Sequence, residues 1–472
     1  MIFNVPENNW ASFINPIIKK EFKQIFESEV SIFSGFFEDN EKIYLFRDFL
    51  GVSTLFYRVG NGKLNISYKL DDLLKSEDRI NLKGALNFIY FGSCRFFPLI
   101  EEIKICPPGS VISFNKKNNQ IKLEYKHKIA PDLLKNYKFD EIVDMYDEKL
   151  SSASKKNKYK GKKAIFMGGG IDAGCVAIKS DEKLDAKTAL PWGSKSSEKL
   201  SSSENIKLLG INEHKFIEVN SNTFSKENLI NDFGVPLGSM NYLVINQIIK
   251  KNLVREYSTL MFGQGADTLF CSAGSQSTAA LLPWPIRKFY MKEDDPVGLF
   301  LKMTSGGSLS ENDEIINDLI PKNLSKVQRI IFAGLKITHT PVDSEYFVIP
   351  AFKNNKFIFN PYYDLDLIKF LLGTKKKIIL DYSKRTRKFP FKFDKDIQKS
   401  LWVNNTNSKI SPQKKNFYLS SKYAPIKNFL SSTPSKVNQY EIINENQKFA
   451  AHSLINFCQM HDLKLELNFQ FN

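Results

Sequence analysis

Lys162 to Ser180 reads KKAIFMGGGIDAGCVAIKS, an apolar strand that runs into three glycines and then into a helix. That succession constrains a chain strongly, because it gathers bare backbone N–H groups at a helix N-terminus. There the amides and the helix dipole favour an anion. Gly168, Gly169 and Gly170 are therefore candidates to hold a phosphate or pyrophosphate. A tight turn with no ligand uses the same residues, so the run needs a partner before it means more.

A second stretch supplies one. Ser258 to Phe270, STLMFGQGADTLF, is again a strand ending in a glycine turn, with Gly263 and Gly265, followed by an acid, Asp267. Parallel strands of an open α/β sheet present their carboxyl ends on one edge, so Asp172 and Asp267 are expected to converge there. Two carboxylates beside a polyphosphate are what Mg²⁺ needs, since it takes oxygen ligands from one or two carboxylates and from phosphates. The alternative is a pair of solvated caps on unrelated turns.

The surrounding text divides into segments. Up to residue 128, short apolar stretches alternate with turns, among them Val59 to Gly62 and Pro107 to Gly109; this reads as an α+β or mostly β domain. Residues 129–162 read as a helix from Phe139 to Ser152 and a Lys/Ser-rich linker, SSASKKNKYKGKK. From residue 163 to 472, strands KAIFM, AKTAL, HKFIEV and STLMFG alternate with helical stretches such as Asn241 to Val254, as parallel βαβ units do, and the text beyond about residue 285 turns largely helical.

Bulk properties narrow the function classes. A chain of 472 residues suits two domains. No apolar run is long enough to cross a bilayer and no signal peptide opens the chain, so no membrane partner is expected and the location reads as cytoplasmic. The 5 cysteines are scattered and form no CxxC pair, which signals neither a disulfide framework nor a thiolate metal site. A net charge of +16 invites a nucleic-acid reading. Lys is abundant throughout, however, and no zinc finger, RNP1 box or basic heptad array is present, so no nucleic acid is expected.

GGGIDA, Gly168 to Ala173, resembles the SGGxDS pyrophosphate loop of asparagine synthetases and related N-type ATP pyrophosphatases, and GQGADTLF resembles their GEGADELF segment. The likeness runs on in order. RDFLGVSTLFY (Arg47 to Tyr57) and YFGSCRFFPLIEEIKICPPGSVISF are similar to two stretches of the amidotransferase domain, and DFGVPLGSMNYL, FNPYYDLDLIKFLL and SPQKKNF to later segments. The resemblance implies an α/β chain: a truncated Ntn-like α+β sandwich, then a parallel-sheet PP-loop synthetase domain with a helical C-terminal part. It also implies ATP and Mg²⁺ as cofactors. The loop from Gly168 to Ala173 and the turn with Gly263 and Gly265 would bind nucleotide, Asp172 and Asp267 would hold the metal, and Lys414, or Lys415 if the loop slips by one, would stabilise charge in adenylation and acyl transfer.

The departures are specific. Glutamine-dependent members carry a catalytic cysteine at position two, where this chain has Ile2, so no glutaminase is expected. β-Lactam synthetases and lasso peptide macrolactam synthetases also lack that cysteine. Gly168 and Ala173 replace both loop serines; each lost hydrogen bond to a charged group is worth ~1.5–3 kcal/mol, together ~100-fold or more in nucleotide affinity. The family's glutamate is Gln264 here, and an amide is no base.

The resulting expectation is an ATP-dependent ligase that adenylates a small-molecule or peptide carboxylate and passes the acyl group to an amine or ammonia. The alternative is a catalytically degenerate pseudoenzyme that binds a peptide or a partner protein. Trp192 reads either as a base-stacking or as a packed aromatic, and the Ser/Lys stretch after it as a lid.

Overall fold

The computed structural model describes every residue except 1, 95, 133, 135–136, 181–183, 191–195, 212, 219–229, 231–232, 251–253, 271–319, 322, 375–394, 410–433, 438–439, 442–444 and 472. Lys414, Lys415 and Trp192 lie outside the described residues.

The first half is built on antiparallel strands: β1 (Ile2–Phe3), β2 (Ser34–Glu38), β3 (Lys42–Arg47), β4 (Phe56–Gly60), β5 (Lys63–Ser67), β6 (Lys104–Ile105), β7 (Ser110–Asn115) and β8 (Ile121–Lys126). They form a five-stranded sheet in the order β1-β2-β3-β7-β8 and a three-stranded sheet in the order β5-β4-β6. Asn61 and Gly62, both at positive φ, make the tight turn between β4 and β5.

Side chains alternate across a strand, and β3 shows the consequence. Leu45 joins the main core, whereas Tyr44 and Phe46 point into a second cluster with Phe13, Ile17 and Phe26. Those last residues belong to helices α1 (Ala11–Lys19) and α2 (Lys23–Phe26). The short N-terminal segment therefore covers the outer face of the large sheet with helices.

Helix α3 (Leu82–Phe91), capped by the Asn81 side chain on Gly84 N, closes the other side. Arg47 is fully buried and donates to the carbonyls of Gly51, Ser53 and Cys106, while Asp48 accepts from the amides of Val52 and Ser53. The Arg-Asp pair of the RDFLG stretch thus holds a turn together.

Helix α4 (Phe139–Lys155) follows, and it takes in the first third of the Lys/Ser-rich segment. The rest of that segment is largely exposed but anchored by Tyr159, which is buried, stacked on Phe357 at 4.6 Å, and donates to the carbonyl of Asn4 at 2.8 Å.

The second half carries a five-stranded parallel sheet in the order β11-β10-β9-β12-β13. Its elements run β9 (Lys163–Phe166), α5 (Ile171–Ile178), β10 (Asp185–Leu190), α6 (Ser196–Leu208), β11 (His214–Glu218), α7 (Asn241–Lys250), β12 (Thr259–Met261), α8 (Ala266–Leu269), α9 (Lys326–Ala333), α10 (His339–Lys353) and β13 (Phe357–Phe359). The chain winds outward from β9 to β11, then returns to the far side of β9 with β12. That reversal is a topological switch point, where α/β sheets place ligands at the strand carboxyl ends.

Helices α11 (Leu365–Gly373) and α12 (Asp396–Thr406) lead to a small sheet of β14 (Pro434–Val437), β15 (Tyr440–Glu441) and β16 (Phe469–Phe471), ordered β15-β14-β16, with α13 (Glu445–Met460) between its strands. The C-terminal part is therefore helical with an added sheet. Helix α13 returns to pack on α3, so the last segment touches the first half of the chain. Among the described residues, no helix is long and apolar enough to cross a membrane.

Candidate functional site

The loop of Gly168 to Gly170 connects β9 to α5, and the turn of Gly263 to Gly265 connects β12 to α8. Since β9 and β12 are hydrogen-bonded neighbours, the two loops meet. They meet closely: a Cβ on Gly263 would lie 2.4 Å from Ala173 N and 2.7 Å from Asp172 C. Only glycine lets the second loop approach the first turn of α5 in this way.

Asp172, in the first turn of α5, and Asp267, in α8, are thereby brought to one point. What stands between them is the ammonium of Lys395, the residue just before α12. Lys395 Nζ is 2.6 Å from both Oδ1 and Oδ2 of Asp172 and also makes an ion pair with Asp267 Oδ1. An ammonium has three donors, and three carboxylate oxygens take them.

The pair is largely enclosed, with the Lys395 side chain 14% exposed and that of Asp172 22%. Burial pushes the Asp172 carboxyl up; Lys395 opposes this and Asp267 adds to it. For Lys395, burial acts downward, but the two carboxylates outweigh it and hold the ammonium above the ordinary lysine range.

Other side chains hold Asp172 in place. Gln398 donates from Nε2 to Asp172 Oδ1 at 3.1 Å and to Tyr362 OH at 2.9 Å, while Tyr362 OH lies 3.3 Å from the Asp172 carbonyl and 3.1 Å from Tyr146 OH. Helix α12, which carries Gln398 and is preceded by Lys395, packs tightly on α5: a Cβ on Gly174 would be 2.5 Å from the Trp402 ring. Behind the glycine loop, Asn205 of α6 donates to the Gly169 carbonyl at 3.0 Å. Ser202 and Asn205 are fully buried, so from Ser196 on the stretch expected as a lid is a helix, one face of which packs behind the loop.

No family model matches the chain, and no curated protein matches it. One solved structure to which it is similar is the glutamine-dependent NAD⁺ synthetase from Acinetobacter baumannii in complex with ADP, at 15% identity and a TM-score of 0.22, over 53% of this chain and 48% of that one. The chain thus spans about half the length of that protein.

The site can be tested for its fit to the two expected cofactors. Among the described residues, no group of three or more His, Cys, Asp or Glu side chains gathers anywhere, so a metal here would draw on the two aspartates. Gln264 Oε1 and Gln398 Oε1 are buried without a hydrogen-bond partner among the described residues. The carboxylate oxygens of Asp172 and Asp267 suit a hard cation such as Mg²⁺. Gln264 itself sits in the turn before Asp267, its carbonyl accepting from Asn360 Nδ2 at 2.8 Å.

Sequence reasoning brought out Asp172, Asp267 and the two glycine turns, but missed Lys395, Gln398 and Tyr362. Tyr362 falls in the quoted FNPYYDLDLIKFLL stretch, which offered a signal. Lys395 is one cation in a Lys-rich region, and nothing local sets it apart. Ile2 is 4% exposed and pairs with Gly35 in the large sheet, so the second residue is a strand position of the core.

Proposed function

We propose that this chain is an ATP-dependent ligase that forms amide bonds by way of an acyl-adenylate. The carboxyl edge of the parallel sheet would take ATP, with the Gly168 to Gly170 amides holding its pyrophosphate and Asp172 and Asp267 holding Mg²⁺. Mg²⁺ would supply charge neutralisation for the departing pyrophosphate. In the reaction a substrate carboxylate oxygen bonds to the α-phosphorus as pyrophosphate leaves, and a neutral amine then bonds to the acyl carbon as AMP leaves, its released proton passing to solvent.

The observation that carries this reading is the meeting of Asp172 and Asp267 around one cation at the switch point of a parallel sheet. Gln264 would orient the incoming amine through its amide, since it cannot take a proton. The test is calorimetry of ATP with Mg²⁺ on the wild type and on Asp172→Ala, followed by an assay for AMP with carboxylate and amine candidates. Micromolar binding that disappears in the variant supports the reading, and AMP formation surviving in both Asp172→Ala and Asp267→Ala would sink the site.

A second reading is favoured by the ion pairing itself, because the two acids are already neutralised in part by Lys395. On that reading the chain is a pseudoenzyme whose cleft recognises a peptide or partner protein. It predicts a stable complex and no AMP with any substrate.

A further inference from the structure

Lys395 and a divalent ion compete for the same oxygens. The ammonium contacts both oxygens of Asp172 and one of Asp267, so a metal bound to this pair would occupy the place where Nζ stands. Both are cations, and two positive centres sharing those oxygens at contact distance would repel each other strongly in so enclosed a site. Next to them, Gln398 is fully buried, with Nε2 on Asp172 and Oε1 unpartnered among the described residues, an acceptor that the lysine leaves unused.

We propose that Lys395 is a tethered stand-in for the metal: it holds the aspartate pair closed at rest, and a divalent ion enters only when an anionic ligand on the glycine loop draws the ammonium away. This rests on the reading of Asp172 and Asp267 as the metal pair, and it adds a coupling that the reading does not contain. The device is physically apt. A lysine carries a compact charge on a flexible four-carbon stem and can exchange a carboxylate for a phosphate by side-chain rotation alone. Tethering gives the ammonium a high effective concentration at the aspartates, so a free divalent ion competes poorly until the phosphate offers the lysine another partner. Metal and phosphate therefore bind together, and by linkage each raises the affinity of the other by the same factor.

The test uses Mn²⁺ alone, followed by calorimetry and by the loss of its free-ion paramagnetic resonance signal. The wild type is expected to bind Mn²⁺ weakly, Lys395→Met at least about tenfold more tightly at one site, and Lys395→Met/Asp267→Asn no better than wild type. Lys395→Arg, which keeps the positive charge, is expected to remain as weak as wild type.

A measurement on the wild type guards against misfolding of the variants. With ¹⁵N-labelled lysine, the Lys395 ammonium resonance should stay in place with Mg²⁺ alone and move when Mg²⁺ and inorganic pyrophosphate are added together. Equal Mn²⁺ affinity in wild type and Lys395→Met, or a resonance unmoved by the pair of ligands, would overturn the proposal. Failure of the two readings is separable. Tight Mn²⁺ binding by Lys395→Met without any ATP binding by the wild type would remove the nucleotide and leave the exchange. ATP binding by the wild type with no metal gained in Lys395→Met would do the reverse.

Discussion

Lys395 shows how a single side chain can set the chemistry of a cleft. Without it, Asp172 and Asp267 are two like charges that meet at one point; with it, both carboxylates have a shared cation at contact distance. Removing one acid leaves the ammonium with fewer partners, and breaking a buried pair costs about 3–5 kcal/mol when the orphaned charge stays buried. Asp267 is 38% exposed, so solvent screens its share and Asp267→Asn should cost less than Asp172→Asn. Urea unfolding of the two variants checks that order.

His127 is a second residue with a legible consequence. It is 8% exposed, stacked on Phe26 at 5.1 Å, and burial together with Lys369 and Lys336 pushes its pKa down from 6.5 to about 4. The native state therefore keeps His127 neutral while the unfolded chain takes up a proton below pH 6.5. Its contribution is fully present above that pH and is lost as pH falls towards 4, by up to about 3 kcal/mol. The difference in unfolding free energy between wild type and His127→Phe, measured from pH 7 to 4, should shrink by that order on acidification; a constant difference would refute the assignment.

At the scale of elements, glycines at close approaches decide where the acids end up. Gly263 lets the β12 turn touch the start of α5, and Gly174 lets α12 lie on α5 and deliver Lys395 and Gln398. Gly263→Ala forces a methyl into backbone at 2.4 Å and should destabilise by about 1–3 kcal/mol or more. Because the strain falls on Ala173 and Asp172, the same variant is expected to lose ATP binding at a temperature where circular dichroism still reports a folded chain. Unchanged binding would show that the two loops are less coupled than their contact implies.

At the scale of the whole molecule, the two halves share one core, which runs from Phe3 and Leu45 through Ile165 and Leu260 to Phe457. Asn4 is a joint between them. Its side chain bonds the carbonyls of Ile32 and Ile358, the Ile358 amide and the Tyr159 hydroxyl, and it sits at φ +55°. Asn4→Ala would strand several buried groups at once and should cost about 3–5 kcal/mol. A single unfolding transition by calorimetry is expected for the wild type, with Asn4→Ala lowering its midpoint; two separate transitions in the wild type would contradict the shared core.

Much of this was legible in the residues alone. Short apolar stretches bounded by turn residues marked β3, β7 and β12, and the strand, glycine, acid order marked both loops, because backbone geometry and helix-terminus electrostatics act over a few neighbouring residues. The meeting of Asp172 with Asp267 followed from the general behaviour of parallel sheets, whereas the strand order and its switch point came only with the structure. So did the packed α6, the N-terminal helices over the large sheet, the burial of Tyr159 and above all the arrival of Lys395. Each depends on which distant surfaces come together, and a lysine 223 positions from Asp172 carries no local mark of its partner. Only the tertiary structure selects one ammonium among many, since what distinguishes it is the enclosure and the two carboxylates it meets there.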